Sequence, residues 1–283
     1  MKSPNLFRLA GASLIGALLL TLSPVLSAQT ASTYVASGQD KYRQGNLDGA
    51  IADYSAALDL NSSYLGAYNG RGLAKFGQGN FDGAIADFAQ AIKLKPTFTD
   101  AFYNRGNAEL LQGNFDAAIA DFTKTIELKK DHQGAYFHRG VARECQTNLQ
   151  GASEDYAKAL TLTAASDDAA AYTLLHSALL GKRMGHGNDE KLKGATAWTN
   201  EWTKALASFL NDQTTEADLM KLAEAADPGV KGRETAEALY FAGVAKIIAG
   251  DKAAAKGCFQ KSFDASGPAV LVHRLARTEL DRP

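Results

Sequence analysis

One five-residue signature recurs in this chain at a fixed distance. Gln44-Gly45-Asn46-Leu47-Asp48 returns as Gln78-Gly79-Asn80-Phe81-Asp82 and again as Gln112-Gly113-Asn114-Phe115-Asp116, each copy 34 residues after the last. Gln146-Thr147-Asn148-Leu149-Gln150 continues the series with Thr in place of Gly. A strict period of this length marks a stack of like supersecondary units, none of which can bury its apolar side alone.

Each unit carries the spacing of two helices. In the second copy Tyr68, Gly72 and Phe76 fall at i, i+4 and i+8, while Phe81, Ala84, Ile85, Phe88 and Ile92 share one face of the next segment. That periodicity is helical, and six prolines in 283 residues leave long stretches without a helix breaker. Gly79-Asn80 is expected to turn the chain, since both residues tolerate a left-handed backbone. Asp82 favours the positive end of the following helix. Gly38, Gly72, Gly106 and Gly140 recur in the first segments, and Ala50, Ala84, Ala118 and Ala152 in the second. Small residues at these places let two helices pack at close range. Arg71, Arg105 and Arg139 precede three of the glycines, and Asp53, Asp87, Asp121 and Asp155 lie on the second segments. An Arg–Asp ladder follows, with two registers open. Pairing within a repeat strands Asp53, and pairing to the next repeat strands Asp155.

These residues resemble the tetratricopeptide-repeat family over 31–166, in four copies (31–64, 65–98, 99–132 and 133–166). The resemblance implies an all-α fold, an α-solenoid of helix-turn-helix repeats, and a role in binding other proteins or peptides rather than catalysis. Regularity fails after 166. An irregular helical linker is expected over 167–233, with a helix over Asp167–Met184, a loop at Gly185-His186-Gly187-Asn188, helices over Trp198–Leu210 and Glu216–Ala226, and a stop at Asp227-Pro228-Gly229. Leu239, Gly243, Gly250-Asp251, Ala255 and Phe259 then restore the repeat spacing, so 234–283 reads as a diverged repeat with a terminal helix over Val270–Leu280. Trp202, Phe209-Leu210, Leu219-Met220 and the run Glu237–Gly243 resemble the small bacterial outer-membrane tetratricopeptide lipoproteins. That likeness implies an adaptor for cell-wall hydrolases or proteases, and it permits a homodimer. The alternative is a structural subunit of an envelope secretion or pilus complex.

The first 28 residues suit export. Lys2 and Arg8 precede an uncharged, mostly apolar stretch from Leu9 to Leu22, Pro24 breaks it, and Leu26-Ser27-Ala28 suits cleavage before Gln29. A periplasmic location is expected. Lipid anchoring is not, because Gln29 stands where those lipoproteins carry a modified cysteine. The whole chain has 30 basic and 31 acidic residues, a formal charge of −1, which offers no basic field for nucleic acid. Cys145 and Cys258 are expected to be separate thiols.

The first helices of the repeats are expected to line a groove for a partner. By register, the lining is Val35, Gln39 and Tyr42, then Asn69, Leu73 and Phe76, then Tyr103, Asn104, Asn107 and Leu110, then Phe137, His138, Val141 and Glu144. Rings supply area and amides pair with an extended backbone. Val35, Asn69, Tyr103 and Phe137 stand where a clamp for a C-terminal carboxylate would need Lys or Arg. His132, His138, His176, His186 and His273 include no pair at ligand spacing on one helix, so neither metal nor cofactor is expected. No nucleophile–base signature stands out.

Overall fold

The computed structural model describes residues 30–163, 168–186, 192, 198–268 and 270–282. The segment 1–28, expected to direct export, lies outside them, as do Gly187 and Asn188 of the expected loop. Among the described residues the secondary structure is helical throughout, with no strand. Helix α1 spans 30–43, followed by α2 (Leu47–Leu60), α3 (Leu65–Gly77), α4 (Phe81–Leu94), α5 (Thr99–Gln112), α6 (Phe115–Leu128), α7 (Gln133–Cys145) and α8 (Leu149–Thr161). Beyond these come α9 (Asp168–Arg183), α10 (Glu201–Leu210), α11 (Glu216–Glu224), α12 (Pro228–Ile248), α13 (Lys252–Ala265) and α14 (Leu271–Asp281). The chain forms two compact units, Met1–Pro96 and Thr97–Pro283.

The close helix crossing expected at the recurrent glycines is explained by one ring in each pair. A Cβ on Gly72 would stand 2.6 Å from Phe88, on Gly106 2.8 Å from Phe122, and on Gly140 2.7 Å from Tyr156. Each ring lies sixteen residues after its glycine and is buried. Gly243 and Phe259 repeat the relation in α12 and α13, again at 2.6 Å. The diverged repeat therefore packs by the same rule as the regular ones.

The turns divide their labour between two residues. Gly45, Gly79 and Gly113 are left-handed, with φ of 76°, 75° and 93°. Thr147 takes the same conformation, φ 63°, where a β-branched side chain is strained. The asparagines are not left-handed, contrary to the expectation for Asn80. At φ near −80° Asn46, Asn80 and Asn148 cap the next helix, each accepting from the backbone N–H three residues on at 3.0 Å. A short polar side chain at that place satisfies a donor the helix leaves unpaired. Asp251 caps α13 in the same way, accepting from Ala254 at 2.9 Å.

The ion-pair ladder runs within repeats. Arg71 forks onto Asp87 at 2.9 and 2.7 Å, Arg105 onto Asp121 at 2.7 and 2.8 Å, and Arg139 onto Asp155 at 3.0 and 2.7 Å. Asp53, which lacks an arginine, is served by Ser37 at 2.6 Å and Lys41 at 2.7 Å. Arg71 and Arg139 also reach back to Ser55 and Thr123 of the preceding repeat, both at 3.1 Å. A planar fork with spare donors can make both kinds of bond at once.

In the Thr97–Pro283 unit the array is followed by its own cover. Helix α9 packs on α8. Asn200 caps α10, and a Thr215–Asp218 capping box opens α11. Asp227-Pro228-Gly229 both ends the preceding turn and starts α12, because proline at the first helical position has no N–H to lose. The helix thus begins six residues before the 234 expected for the diverged repeat. Helix α14 lies against α5, α12 and α13 and buries Val272, Leu275 and Ala276. Cys145 and Cys258 are buried, unbridged thiols, and burial pushes Cys145 up to about 12.

Candidate functional site

The groove expected from register divides into two halves with different fates. In the Met1–Pro96 unit, α1 presents Gln39 and Tyr42 to solvent, Tyr42 at 38% exposure. On α3, Asn69, Leu73 and Phe76 are half-buried. Phe76 meets Phe81 edge-on at 5.5 Å, which holds its ring while leaving part of it accessible. Val35 is a correction: at 6% exposure it belongs to the core with Ala31, Tyr54 and Ala67 and is not available to a partner.

In the Thr97–Pro283 unit the corresponding face is covered by the chain itself. Leu110 and Val141 are 1% and 0% exposed and join the main core, so they too drop out of the docking set. Tyr103, Phe137 and His138 line a cavity of about 360 Å3 whose other walls are α9, α12 and α14. Tyr103 Oη and His138 Nδ1 are 3.0 Å apart, and Asn107 bonds Tyr103. Asn69 and Asn104 each have a partner within the fold, so the expectation that these amides wait for a docked backbone is not supported by their surroundings. The physical reason is reach. Arg274 of α14 donates from Nε to the Leu111 carbonyl at 2.8 Å, and Arg282 donates to the Glu144 carbonyl at 3.0 Å. The terminal helix is thereby fixed across the ends of α5 and α7.

Glu144, placed on the groove by register, is instead the centre of a buried network. It accepts from Tyr156 at 2.8 Å and from Arg183 at 3.1 Å, and Arg183 also bridges to Glu279 at 3.0 Å. Burial raises the Glu144 carboxyl above its ordinary range, against the pull of Arg183 and Tyr156. Such a network specifies one docking of α7, α8, α9 and α14, because breaking it would leave a charge without a partner.

Several residues of the cavity were not singled out as site residues: Tyr172, His176, Glu237 and Tyr240. Glu237 carried a signal, a lone acid in the run Ala236–Val244 that is otherwise uncharged. Its Oε2 accepts from Trp202 Nε1 at 2.6 Å and from Tyr172 at 3.2 Å. His138 and His176 are both pushed down to about 4, His138 by burial and the nearby His132 and His176, His176 by burial. Among the described residues no group of three or more His, Cys, Asp or Glu is placed to hold a metal, and no helix is long and apolar enough to cross a membrane.

The profile of the tetratricopeptide repeat matches residues 35–97, 69–130 and 103–170. Among solved structures, a tetratricopeptide repeat protein from Parabacteroides merdae is similar over 89% of this chain and 100% of its own, at 18% identity and a TM-score of 0.59. The MamA protein is similar over 65% of this chain and 93% of its own, at 21% identity and a TM-score of 0.53. The MamA fragment from residue 41 to the end, from Desulfovibrio magneticus RS-1, gives 70% and 97% coverage, 17% identity and 0.52. None of the curated proteins matches. At these identities the likeness carries the fold alone, an all-α solenoid. Residues 35–170 belong to the tetratricopeptide-repeat family.

Proposed function

We propose that the protein is an exported adaptor of the bacterial cell envelope that holds a partner protein on the face formed by α1 and α3. The observation that carries this reading is the difference between the two halves of the repeat face. Gln39 and Tyr42 are exposed and Leu73 and Phe76 half-buried, whereas the same face in the Thr97–Pro283 unit is occupied by the chain's own helices. A surface with aromatic rings, an aliphatic residue and an amide suits an extended peptide or a partner helix. Export is supported by the segment 1–28, and a hydrolase or protease of the cell wall as partner by the resemblance of the tail.

The test is site-specific photocrosslinking in the native envelope. A crosslinker at Tyr42 or Leu73 is expected to capture a discrete envelope protein. One at Ala52 or Ala86, exposed on α2 and α4, is not. Equal capture from all four positions, or none from any, would overturn the assignment. A stoichiometric membrane complex in place of a single protein would favour a structural subunit instead. Fractionation of the tagged protein checks the location, and a cytoplasmic pool alone would sink it.

A further inference from the structure

We propose that the cavity among α5, α7, α9, α12 and α14 is a binding site for a small organic cation, an amine carrying a ring-sized apolar body. Its volume of about 360 Å3 lies at the lower end of the range for ligand sites, about 300–1,000 Å3, and far above the roughly 30 Å3 a single water fills. Five helices from both ends of the unit contribute to it, so it is a built chamber rather than a gap between two side chains.

The walls state what fits. Tyr103, Phe137, Tyr172 and Phe241 present rings, and Leu275 an aliphatic end. Ring faces are electron-rich and attract a cation, most strongly where water is excluded. Among the described lining residues Glu237 is the one carboxylate, and no lysine or arginine joins it there. Arg233, a neighbouring cation on the same helix, is exposed at the surface and does not line the cavity. Both lining histidines are neutral near pH 7, so they add no positive charge.

Two donors, Trp202 Nε1 and the Tyr172 hydroxyl, hold Oε2 of Glu237 in place. A carboxylate has about four lone-pair sites on two oxygens, which leaves capacity for an ammonium N–H. His176 adds a second mark of a polar ligand. It is 6% exposed, lines the cavity, and its Nδ1 has no hydrogen-bond partner among the described residues. Buried polar atoms of this kind are rare and call for an explanation. An anion would face the carboxylate and the ring faces together, and would be rejected.

The experiment titrates the full exported chain near pH 7.5 with 2-phenylethylamine, 2-phenylethanol and phenylacetate. Calorimetry and the fluorescence of the tryptophans, including Trp202 beside Glu237, report binding. The amine is expected to saturate, the alcohol to bind about tenfold more weakly for want of the charge-assisted bond, and phenylacetate not to bind. Glu237→Gln should erase the preference of amine over alcohol. Ala169→Trp, at an exposed position on the rim, should block both ligands while leaving the helical circular-dichroism spectrum unchanged. No saturation by the amine up to about 10 mM, phenylacetate binding as tightly as the amine, or full binding by the Ala169→Trp protein would overturn the proposal. Should Glu237→Gln fail to fold, the order of the three ligands on the wild type and the Ala169→Trp result decide it.

Discussion

Arg274 and Leu111 are 163 residues apart in sequence, yet the guanidinium Nε donates to the Leu111 carbonyl at 2.8 Å. Leu111 lies in the last turn of α5, where carbonyls lack helical partners and a cation is favoured. The bond therefore pins the terminal helix to the repeat array of its own unit. Arg274→Ala should cost about 1–2 kcal/mol of stability. Urea unfolding followed by circular dichroism measures it. A wild-type midpoint would mean that α14 is held by its apolar residues alone.

The glycines of the helices divide into two kinds that should respond oppositely to one methyl group. Gly72 has Phe88 2.6 Å from the place its Cβ would occupy, in a core where the ring has no freedom to withdraw. Gly72→Ala should cost about 1–3 kcal/mol through overpacking. Gly181, inside α9, has nothing among the described residues within 4 Å of that place, so Gly181→Ala should gain about 0.5–1 kcal/mol from reduced backbone freedom in the unfolded chain. Thermal midpoints of the two variants should move in opposite directions. Movement of both in the same direction would refute the packing account.

The helix pairs were legible because their cause is local. Small residues at fixed places in both segments, with a turn signature between them, recur often enough to declare closely packed helix pairs before any coordinates. The ring sixteen positions after each glycine, which fills the crossing, came from the structure. The register of the arginine ladder was not legible, since either choice leaves one aspartate stranded. The structure resolves it with a residue outside the pattern: Lys41, with Ser37, serves Asp53. The covering of Tyr103, Phe137 and Val141 was also invisible. These residues stand in the same register as Asn69 and Leu73, and contacts with later parts of the chain, such as Phe137 with His176 and Glu144 with Arg282, distinguish the two settings. Periodicity describes each repeat's own needs, not which distant helix will meet them.

Asp155, like Asp87 with Arg71 and Lys75, faces two cations. It receives Arg139 through two bonds and Arg143 at 2.8 Å, with its own side chain only 4% exposed. Asp155→Asn would leave two partly buried guanidiniums facing a neutral amide and should cost about 2–4 kcal/mol, toward the lower end because the arginines retain some water contact. Asp53→Asn removes a carboxylate that is 13% exposed and faces a Lys41 that is 35% exposed, and should cost about 1 kcal/mol or less. Chemical denaturation of both variants at low and high salt gives the comparison. Equal losses would show that burial of the pair does not set its worth.

Acid should destabilise the Thr97–Pro283 unit through two imidazoles, with two buried carboxyls working in the opposite direction. His138 and His176 are held neutral with values near 4, down from the ordinary 6.5, His138 by burial and two neighbouring histidines, His176 by burial. Below pH 6.5 the unfolded chain takes up protons that the folded chain refuses until about pH 4. Stability therefore falls as the pH drops through that window and levels off beneath it, by at most about 3 kcal/mol for each ring. Glu144 and Glu237 oppose this. Burial raises both, so each binds its proton in the folded state first and favours folding at low pH, an effect lost as the pH rises through the raised values. His176→Phe separates the contributions, because it removes one imidazole whose Nδ1 has no partner among the described residues. The variant should be at least as stable as wild type near pH 7.5, and its loss of stability between pH 6.5 and 4 should be visibly smaller. Denaturation midpoints across that range give the answer, and parallel curves for the two proteins would exclude the buried histidine as their source.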